Sequence, residues 1–178
     1  GANPRESELC EASNGKLYGV TRYGGANNKG VIFEYDPSNG SYTKKIDFDG
    51  INTGEEMFGS LIQASNGKLY GMTKEGGPSG FGIIFEYNPI SNVFVRKVNF
   101  DDTEKGKGPL GSLMQANNEK LYGMTQFGGE HDDGVIFEYD ISTNTFITKI
   151  DFDYSNGANP AGSIIQADDG FLYGMTAG

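Results

Sequence analysis

The 178-residue sequence has one cysteine, one histidine and no tryptophan. The single cysteine, Cys10, excludes a disulfide within the chain and leaves the redox compartment open. The single histidine, His131, leaves a histidine-based catalytic triad few options, and the sequence has no Gly-x-Ser-x-Gly motif. A histidine-centred metal site would need further ligands from other segments. These absences disfavour a nucleophilic hydrolase and a zinc enzyme.

Basic residues are also scarce. The sequence has 14 lysines and arginines against 24 aspartates and glutamates, so the net charge is −10. An acidic surface repels nucleic acid and anionic lipid, so we expect neither as a partner. No apolar run approaches the ~18 residues of a membrane-spanning helix, so no membrane span is expected. We identify no signal peptide at the start of the sequence.

Glycine is abundant, with 28 residues, and the sequence repeats itself. The tripeptide Leu-Tyr-Gly begins at positions 17, 69, 121 and 172, and Phe-Glu-Tyr begins at positions 33, 85 and 137. Each copy divides into four short segments, which in the second copy are residues 60–64, 68–74, 82–88 and 93–100. The segments are rich in β-branched and aromatic residues and are bounded by turn residues, which predicts four strands per copy.

Turn residues predict how these strands pair. Asn66-Gly67 favours a two-residue type I′ hairpin turn, which would place Ala64 opposite Leu69. A second turn centred on Asn39-Gly40 would pair the third and fourth strands of the first copy. The predicted pairs of this second hairpin are Phe33 with Ile46, Val31 with Phe48, Phe85 with Val98, Ile83 with Phe100, Phe137 with Ile150 and Val135 with Phe152.

Radial repetition of four-stranded antiparallel meanders is typical of a β-propeller. We therefore predict an all-β, propeller-type array of three full blades plus half a blade, with a β-trefoil as the alternative. The predicted blades are residues 1–53, 54–105 and 106–156, and the half blade is 157–178. A trefoil has no place for a fourth copy. Because propellers close with about four to eight blades, we expect further blades or another chain to cover the open ends.

The motifs resemble a known family. Leu69-Tyr70-Gly71-Met72-Thr73, the Gly76-Gly77 loop and Gly82-Ile83-Ile84-Phe85-Glu86-Tyr87 are similar to the GloVer tandem repeat of Gloeobacter and Verrucomicrobia. Met72 and Met124 stand where that repeat has its first threonine. Kelch and WD repeats match less well because tryptophan is absent. The resemblance implies a secreted or cell-surface bacterial protein, and it transfers no catalytic residue.

Acidic residues recur in each copy. Glu34, Glu86 and Glu138 are predicted to lie opposite Lys45, Lys97 and Lys149, which indicates cross-strand ion pairs rather than catalysis. Asp151, Asp153 and Ser155 partly imitate a calcium-binding loop, but no acidic residue follows that would complete the coordination. We therefore predict solvated side chains here, and no metal or other cofactor.

The longest loops differ between copies, and variable loops on a rigid scaffold are common binding sites. We expect loops 24–30, 76–82 and 128–134 to share one face with the links 49–58, 101–110 and 153–162. The candidate ligand-binding residues are Asn27, Asn28, Ser79, Phe81, Glu130, His131 and Asp132. The recurring tyrosines at 18, 70, 122 and 173 are predicted to pack between blades.

No copy breaks the repeat with convergent polar residues, so a non-catalytic module is predicted. Its function would be binding or adhesion to a glycan or a protein. The alternatives are a structural spacer of a surface protein and a polysaccharide-active enzyme.

Overall fold

The computed structural model describes residues 1–4 and 7–178, and it contains three four-stranded antiparallel sheets and one two-stranded sheet. Sheet 1 consists of β1 (Cys10–Glu11), β2 (Leu17–Thr21), β3 (Val31–Asp36) and β4 (Ser41–Asp47). Sheet 2 consists of β5 (Ile62–Gln63), β6 (Leu69–Thr73), β7 (Ile83–Asn88) and β8 (Val93–Asn99). Sheet 3 consists of β9 (Met114–Gln115), β10 (Leu121–Thr125), β11 (Val135–Asp140) and β12 (Thr145–Asp151). Sheet 4 consists of β13 (Ile165–Gln166) and β14 (Leu172–Tyr173).

Each full sheet is a meander in which sequential strands are neighbours. The middle strands of sheet 2 are buried on both faces, because sheets 1 and 3 cover them from opposite sides. The outermost strand β8 is instead mostly exposed or half-buried. Within the described residues, the structure contains no helix with the length and hydrophobicity needed to cross a membrane.

Successive sheets pack face to face with the same side chains. Phe48 of the first copy lies 5.9 Å from Phe85 of the second, measured between ring centroids. One repeat later, Phe100 lies 5.7 Å from Phe137. Three of the four recurring tyrosines are buried, as expected for packing between sheets: Tyr18, Tyr70 and Tyr122. Cys10 is half-buried against the first of these cores.

Hydrogen bonds from backbone N–H groups to side-chain oxygens join neighbouring sheets in and beside their first strands. In the serine ladder, Glu8 N–H donates to Ser60 Oγ, Ser60 N–H to Ser112 Oγ and Ser112 N–H to Ser163 Oγ, at 2.7–2.8 Å. In the glutamine ladder, Ser13, Ser65 and Asn117 donate their N–H groups to the Oε1 atoms of Gln63, Gln115 and Gln166, at 2.7–2.9 Å. Each sheet therefore donates to the next one along the chain.

Glycines next to the serine ladder allow the sheets to approach. A Cβ atom on Gly59 would lie 2.3 Å from Gly111 O, and one on Gly111 would lie 2.0 Å from Gly162 O. These distances exclude any side chain. Gly162, at the same position of the fourth copy, has open space at its own Cβ position.

The predicted register of the first hairpin is wrong by one residue. Ile62 pairs with Tyr70 and Gln63 with Leu69, so Ala64 does not face Leu69. The loop has three residues, and among them only Gly67 has a positive φ (76°). The N–H of Gly67 donates to Ala64 O at 2.8 Å, which makes a type I turn followed by a left-handed glycine, not a type I′ turn.

The predicted register of the second hairpin is also wrong. Its loop has four residues, 37–40, between the paired Asp36 and Ser41. A β-bulge then shifts the register, so that Ile32 pairs with Ile46 and Phe33 with Lys44. The same shift occurs in sheets 2 and 3, and it replaces all six predicted pairs: Phe33–Ile46, Val31–Phe48, Phe85–Val98, Ile83–Phe100, Phe137–Ile150 and Val135–Phe152.

The glycine contact predicts a position-dependent effect of a single methyl group. We expect Gly59→Ala to lower the free energy of unfolding by about 1–3 kcal/mol, because its Cβ would overlap the Gly111 carbonyl. Gly162→Ala is the matched control and should leave stability nearly unchanged. Urea unfolding of both variants provides the measurement, and equal stability of the two would contradict the close approach.

Candidate functional site

The variable loops and the links between sheets meet on one face of the molecule, here called the loop face. The link after sheet 1 lies against the loop of sheet 2, where Gly77 N–H donates to Gly50 O at 2.7 Å. The link after sheet 2 contacts the loop of sheet 3 in the same way, through Gly129 N–H and Thr103 O at 2.9 Å. The boundaries between sheets 1 and 2 and between sheets 2 and 3 on this face are here called seams, and each is built from one link and one loop.

The seam between sheets 1 and 2 is crossed by ion pairs. Arg22 contacts Glu56 at 2.7 Å, and Lys29 contacts Glu55 at 2.6 Å. The Arg22 guanidinium also lies over the ring of Phe58, 4.1 Å from its centroid. Paired charges and a stacked guanidinium therefore occupy this seam.

The seam between sheets 2 and 3 has different residues at the equivalent positions. Phe81 replaces Lys29, Lys107 replaces Glu55, and Phe127 replaces Glu75. A cavity of about 270 Å³, here called the seam cleft, opens between the two sheets. Its lining comprises Lys74, Glu75, Gly80, Phe81, Lys107, Gly108 and Phe127.

Charge and aromatic surface are combined at the seam cleft. The Lys107 ammonium lies 5.9 Å from the centroid of Phe81, and it contacts Asp102 at 2.5 Å and Asp132 at 3.0 Å. Hydrogen bonds to Asp102 and then to Asp132 raise the pKa of Lys107, so it is a cation at neutral pH. Phe127 remains about one third exposed. The cleft can therefore offer a ring face, a cation and carboxylate oxygens to one ligand.

The structure places only some of the predicted ligand-binding residues at this cleft. Phe81 lines it, and Asp132 contacts Lys107 beside it. Asn27 and Asn28 support their own loop instead: Asn27 Nδ2 donates to Phe48 O at 3.0 Å, and Asn28 Oδ1 accepts from Gly24 N–H at 3.1 Å. Ser79, Glu130 and His131 are exposed and do not line the cleft.

Sequence reasoning missed Lys74, Lys107 and Phe127. Lys107 belongs to a link and Phe127 follows a strand, so neither lies in the central part of a variable loop. A signal was present, because both positions carry glutamate one repeat earlier, at Glu55 and Glu75. Comparing the copies position by position would have identified them.

The recurring buried glutamates are held by their neighbours. Glu34 Oε1 accepts from Lys16 Nζ at 2.7 Å, and Oε2 accepts from Tyr18 Oη at 2.6 Å and lies 3.1 Å from Lys45 Nζ. The ion pairs expected for Glu86 with Lys97 and Glu138 with Lys149 are present at 3.7 and 3.6 Å. The prediction that each lysine lies directly opposite its glutamate is wrong, because the lysine is the extra residue of the bulge.

Burial opposes ionisation of Glu34, but hydrogen bonds from Lys16, Tyr18 and Lys45 outweigh it and lower its pKa to about 2. The pKa values of Glu86 and Glu138 are lowered in the same way. Burial and the bond to Glu34 raise the pKa of Tyr18. An ionised carboxylate held by several donors in this way has no proton to donate.

The residues of the imperfect calcium-like loop also bond within the chain. Asp153 Oδ1 accepts from the Ser155 hydroxyl at 2.8 Å and from the N–H groups of Ser155 and Asn156 at 3.1 Å. Asp151 Oδ2 accepts from Glu130 N–H at 2.9 Å, and its Oδ1 is buried without a hydrogen-bond partner. Among the described residues, no three His, Cys, Asp or Glu side chains converge as a metal site.

Calcium is expected to have little effect on stability. A tight site would raise the free energy of unfolding by about 2.7 kcal/mol at a hundredfold excess over its dissociation constant. Because the Asp153 carboxylate already accepts three hydrogen bonds, the melting temperature should be the same with millimolar calcium as with a chelator. A rise of several degrees with calcium would contradict this prediction.

Acid should weaken the protein through its buried glutamates. The pKa of Glu34 is about 2 in the folded chain, against about 4.3 for an unfolded glutamate, so its stabilisation is present above pH 4.3 and is lost as the pH falls towards 2. We expect Glu34→Gln to lower the free energy of unfolding by about 1–3 kcal/mol at neutral pH. The variant should also lose less stability than the parent chain as the pH falls from 4.3 to 2. Denaturant unfolding at several pH values measures both effects.

Glu104 is exposed, so Glu104→Gln is the matched control. It should change neither the free energy of unfolding at neutral pH nor its decrease at low pH. If Glu34→Gln and the parent chain lost stability in parallel between pH 4.3 and 2, Glu34 would not be the titrating group.

Comparisons with known proteins agree with this architecture. The fold is similar to that of TolB from Acinetobacter baumannii, a β-propeller, with a TM-score of 0.61 at 15% sequence identity. The similarity covers 96% of this chain and 38% of the TolB chain, so the chain spans well under half of that protein. The fold is therefore a β-propeller-type array of three blades and half a blade, and not the alternative β-trefoil.

No curated protein matches the sequence. The family model described as Gloeobacter/Verrucomicrobia repeat matches residues 1–104, which is more than half of the chain. This match confirms the resemblance seen in the repeated motifs. The chain belongs to the Gloeobacter/Verrucomicrobia repeat family.

Proposed function

We propose that this chain is a non-catalytic extracellular module that binds a glycan or a protein through its loop face. The observation that carries the proposal is the difference between the two seams. Ion pairs cross the seam between sheets 1 and 2, whereas the seam between sheets 2 and 3 opens into a cleft with two phenylalanines and two lysines. A feature that serves only the scaffold would recur in every copy, as the ladders do.

The chemistry of the seam cleft favours a glycan. Its volume of about 270 Å³ suits one ring of an oligosaccharide better than an extended protein interface, which needs about 800 Å² per partner. The exposed face of Phe127 can stack on the apolar side of a sugar ring. Lys107 and the carboxylates of Asp102 and Asp132 supply donors and acceptors at the edge of the same cleft.

The proposed location outside the cytoplasm is supported by the family resemblance, which implies a secreted or cell-surface protein. A net charge of −10 keeps such a module away from anionic surfaces and favours uncharged or cationic ligands at long range. At the cleft, Lys74 is paired with Glu75, and Lys107 is paired with Asp102 and Asp132.

A structural spacer is the second candidate function. The identical ladders and glycine contacts between successive sheets support it, because they would let blades be added without a change in packing. A polysaccharide-active enzyme is the third candidate. It has less support, because the recurring glutamates Glu34, Glu86 and Glu138 are each bonded to lysine and tyrosine.

The test begins with an array of neutral, uronic-acid and amino-sugar oligosaccharides, followed by calorimetry with the best-bound one. We expect Phe127→Ala to weaken that affinity by about tenfold or more, because the stacking surface is removed. Tyr42→Ala removes an exposed aromatic side chain of β4 that does not line the cleft, so this matched control should bind as the parent does.

Equal affinity of Phe127→Ala and the parent chain would contradict the assignment of the cleft. An array on which the parent chain binds no oligosaccharide would contradict the glycan as ligand. Release of shortened oligosaccharide during the binding assay would contradict a non-catalytic role.

A further inference from the structure

The seam cleft lies where a glutamate side chain fills the first seam. Glu56 and Gly108 occupy the same position of successive copies, and both have a positive φ, of 55° and 63°. Their carbonyl oxygens are bound in the same way, Glu56 O by Lys74 N–H at 3.0 Å and Gly108 O by Gln126 N–H at 3.3 Å. The backbone is therefore similar in the two seams, and the side chain is what the second seam lacks.

In the first seam, the Glu56 carboxylate accepts hydrogen bonds from two side chains. Its Oε2 accepts from Arg22 Nη2 at 2.7 Å and from Arg22 Nε at 3.2 Å. Its Oε1 accepts from Tyr23 Oη at 3.1 Å. This seam therefore pairs two donor side chains with one acceptor side chain of the same chain.

In the second seam, the two donors are replaced by one donor and one acceptor. Lys74 stands at the position of Arg22, and Glu75 stands at the position of Tyr23. Glu75 Oε1 lies 3.7 Å from Lys74 Nζ, which is longer than a hydrogen bond. Both side chains line the cleft, and the Glu75 side chain is about half exposed. The two groups therefore keep hydrogen-bonding capacity for a third group.

The position of Gly108 connects the cleft with the missing side chain. A Cβ atom on Gly108 would lie 4.0 Å from Lys74 Cγ and 4.0 Å from Phe127 Cδ2, which are ordinary van der Waals contacts. Lys74 and Phe127 both line the cleft, so a side chain at position 108 would extend into it. The cleft therefore includes the space that a glutamate side chain occupies one repeat earlier.

We propose that the seam cleft binds a neutral sugar ring, and that two neighbouring hydroxyl groups of this ring bridge Lys74 and Glu75. This inference rests on the proposed function and adds the class of glycan to it. A hydroxyl group both donates and accepts, so one hydroxyl can accept from the Lys74 ammonium while its neighbour donates to the Glu75 carboxylate. The apolar face of the same ring would pack on Phe127. The ring would then fill the space that Glu56 fills in the first seam.

Charged sugars match this arrangement less well. Lys74 and Glu75 together carry no net charge, and Lys107 already contacts two carboxylates. The carboxylate of a uronic acid would lie close to the like charge of Glu75, and the ammonium of an amino sugar would lie close to the like charge of Lys74. The net charge of −10 further disfavours an anionic sugar.

Gly108→Glu tests whether the sugar ring occupies the space of the missing side chain. The position should accept glutamate, because Glu56 has the same backbone conformation and a Cβ atom at position 108 overlaps nothing. Gly67→Glu is the matched control. Nothing lies within 4 Å of the Gly67 Cβ position, and the third copy has Glu119 there, with a φ of 64°. Urea unfolding confirms that both variants are folded.

Calorimetry with matched trisaccharides measures the preference. The probes are neutral hexose trisaccharides, the uronic-acid trisaccharides of the same linkage and the amino-sugar trisaccharides of the same linkage. We expect the parent chain to bind a neutral trisaccharide at least about tenfold more tightly than its charged counterparts. Gly108→Glu should weaken that binding by about tenfold or more, and Gly67→Glu should bind as the parent does.

Glu75→Gln separates the charge of this residue from its shape. Glutamine has the same length and can still accept a hydrogen bond, but it does not repel an anion. We expect the preference for the neutral over the uronic-acid trisaccharide to fall by about tenfold, chiefly because the uronic acid binds more tightly. A purely structural role of Glu75 would leave this ratio unchanged.

Tightest binding of a uronic-acid or amino-sugar trisaccharide by the parent chain would overturn this inference and leave the proposed function in place. Unchanged binding by Gly108→Glu, or an unchanged ratio in Glu75→Gln, would also overturn it, because the neutral ring would then lie elsewhere. A parent chain that binds none of the trisaccharides would contradict the proposed glycan ligand, and this inference with it.

Discussion

The close approach of successive sheets at Gly59 and Gly111 is the constraint on which the rest of the structure depends. A side chain at either position would overlap a carbonyl of the next sheet, so the spacing is fixed by backbone contact. The serine and glutamine ladders join sheets 2, 3 and 4 at that spacing. The same bonds join sheets 1 and 2, where Ser7 stands at the equivalent position, and the donor–acceptor distances vary by only 0.1–0.2 Å between copies. The apolar cores between the sheets then repeat because the distance between the sheets repeats.

The buried glutamates explain the bulge in each outer hairpin. An ionised carboxylate inside an apolar layer needs several donors, or its burial would cost several kcal/mol. Lys16 and Tyr18 supply two donors to Glu34, and the bulge brings the extra residue, Lys45, to its second oxygen. In a regular ladder, Lys45 would pair directly with a residue of β3. The register shift instead allows its ammonium group to reach the Glu34 carboxylate. The bulge is part of the polar network and not an irregularity of the strand.

The sequence was sufficient for the strands and their order, since the 52-residue spacing, the turn residues and the aromatic segments recur together. It was insufficient for register. Asn66-Gly67 matches both a two-residue and a three-residue hairpin, and the choice depends on the Asn66 side chain, which bonds to Lys68 N–H and Tyr70 Oη. The bulge at Lys45 depends on where Glu34 lies in three dimensions. For the seam cleft, Phe81 was foreseen because it is in a loop, but Lys107 and Phe127 converge only through the packing of two sheets.

Positions that face the next sheet and positions that face the seam obey different rules in this chain. Between sheets, a methyl group added to Gly59 or Gly111 would meet the backbone of the next sheet, although the first interface has Ser7 at this position. The serine and glutamine that accept the ladder bonds recur at the same places in every interface. On the loop face, the backbone is held by its own bonds, such as Gly77 N–H to Gly50 O, and the side chains above it are free to change. An ion pair can therefore become an aromatic cleft within one repeat, as Lys29 and Glu55 become Phe81 and Lys107, without any change in the spacing of the blades. A scaffold built in this way allows the side chains of each seam to differ while the spacing of the sheets is kept.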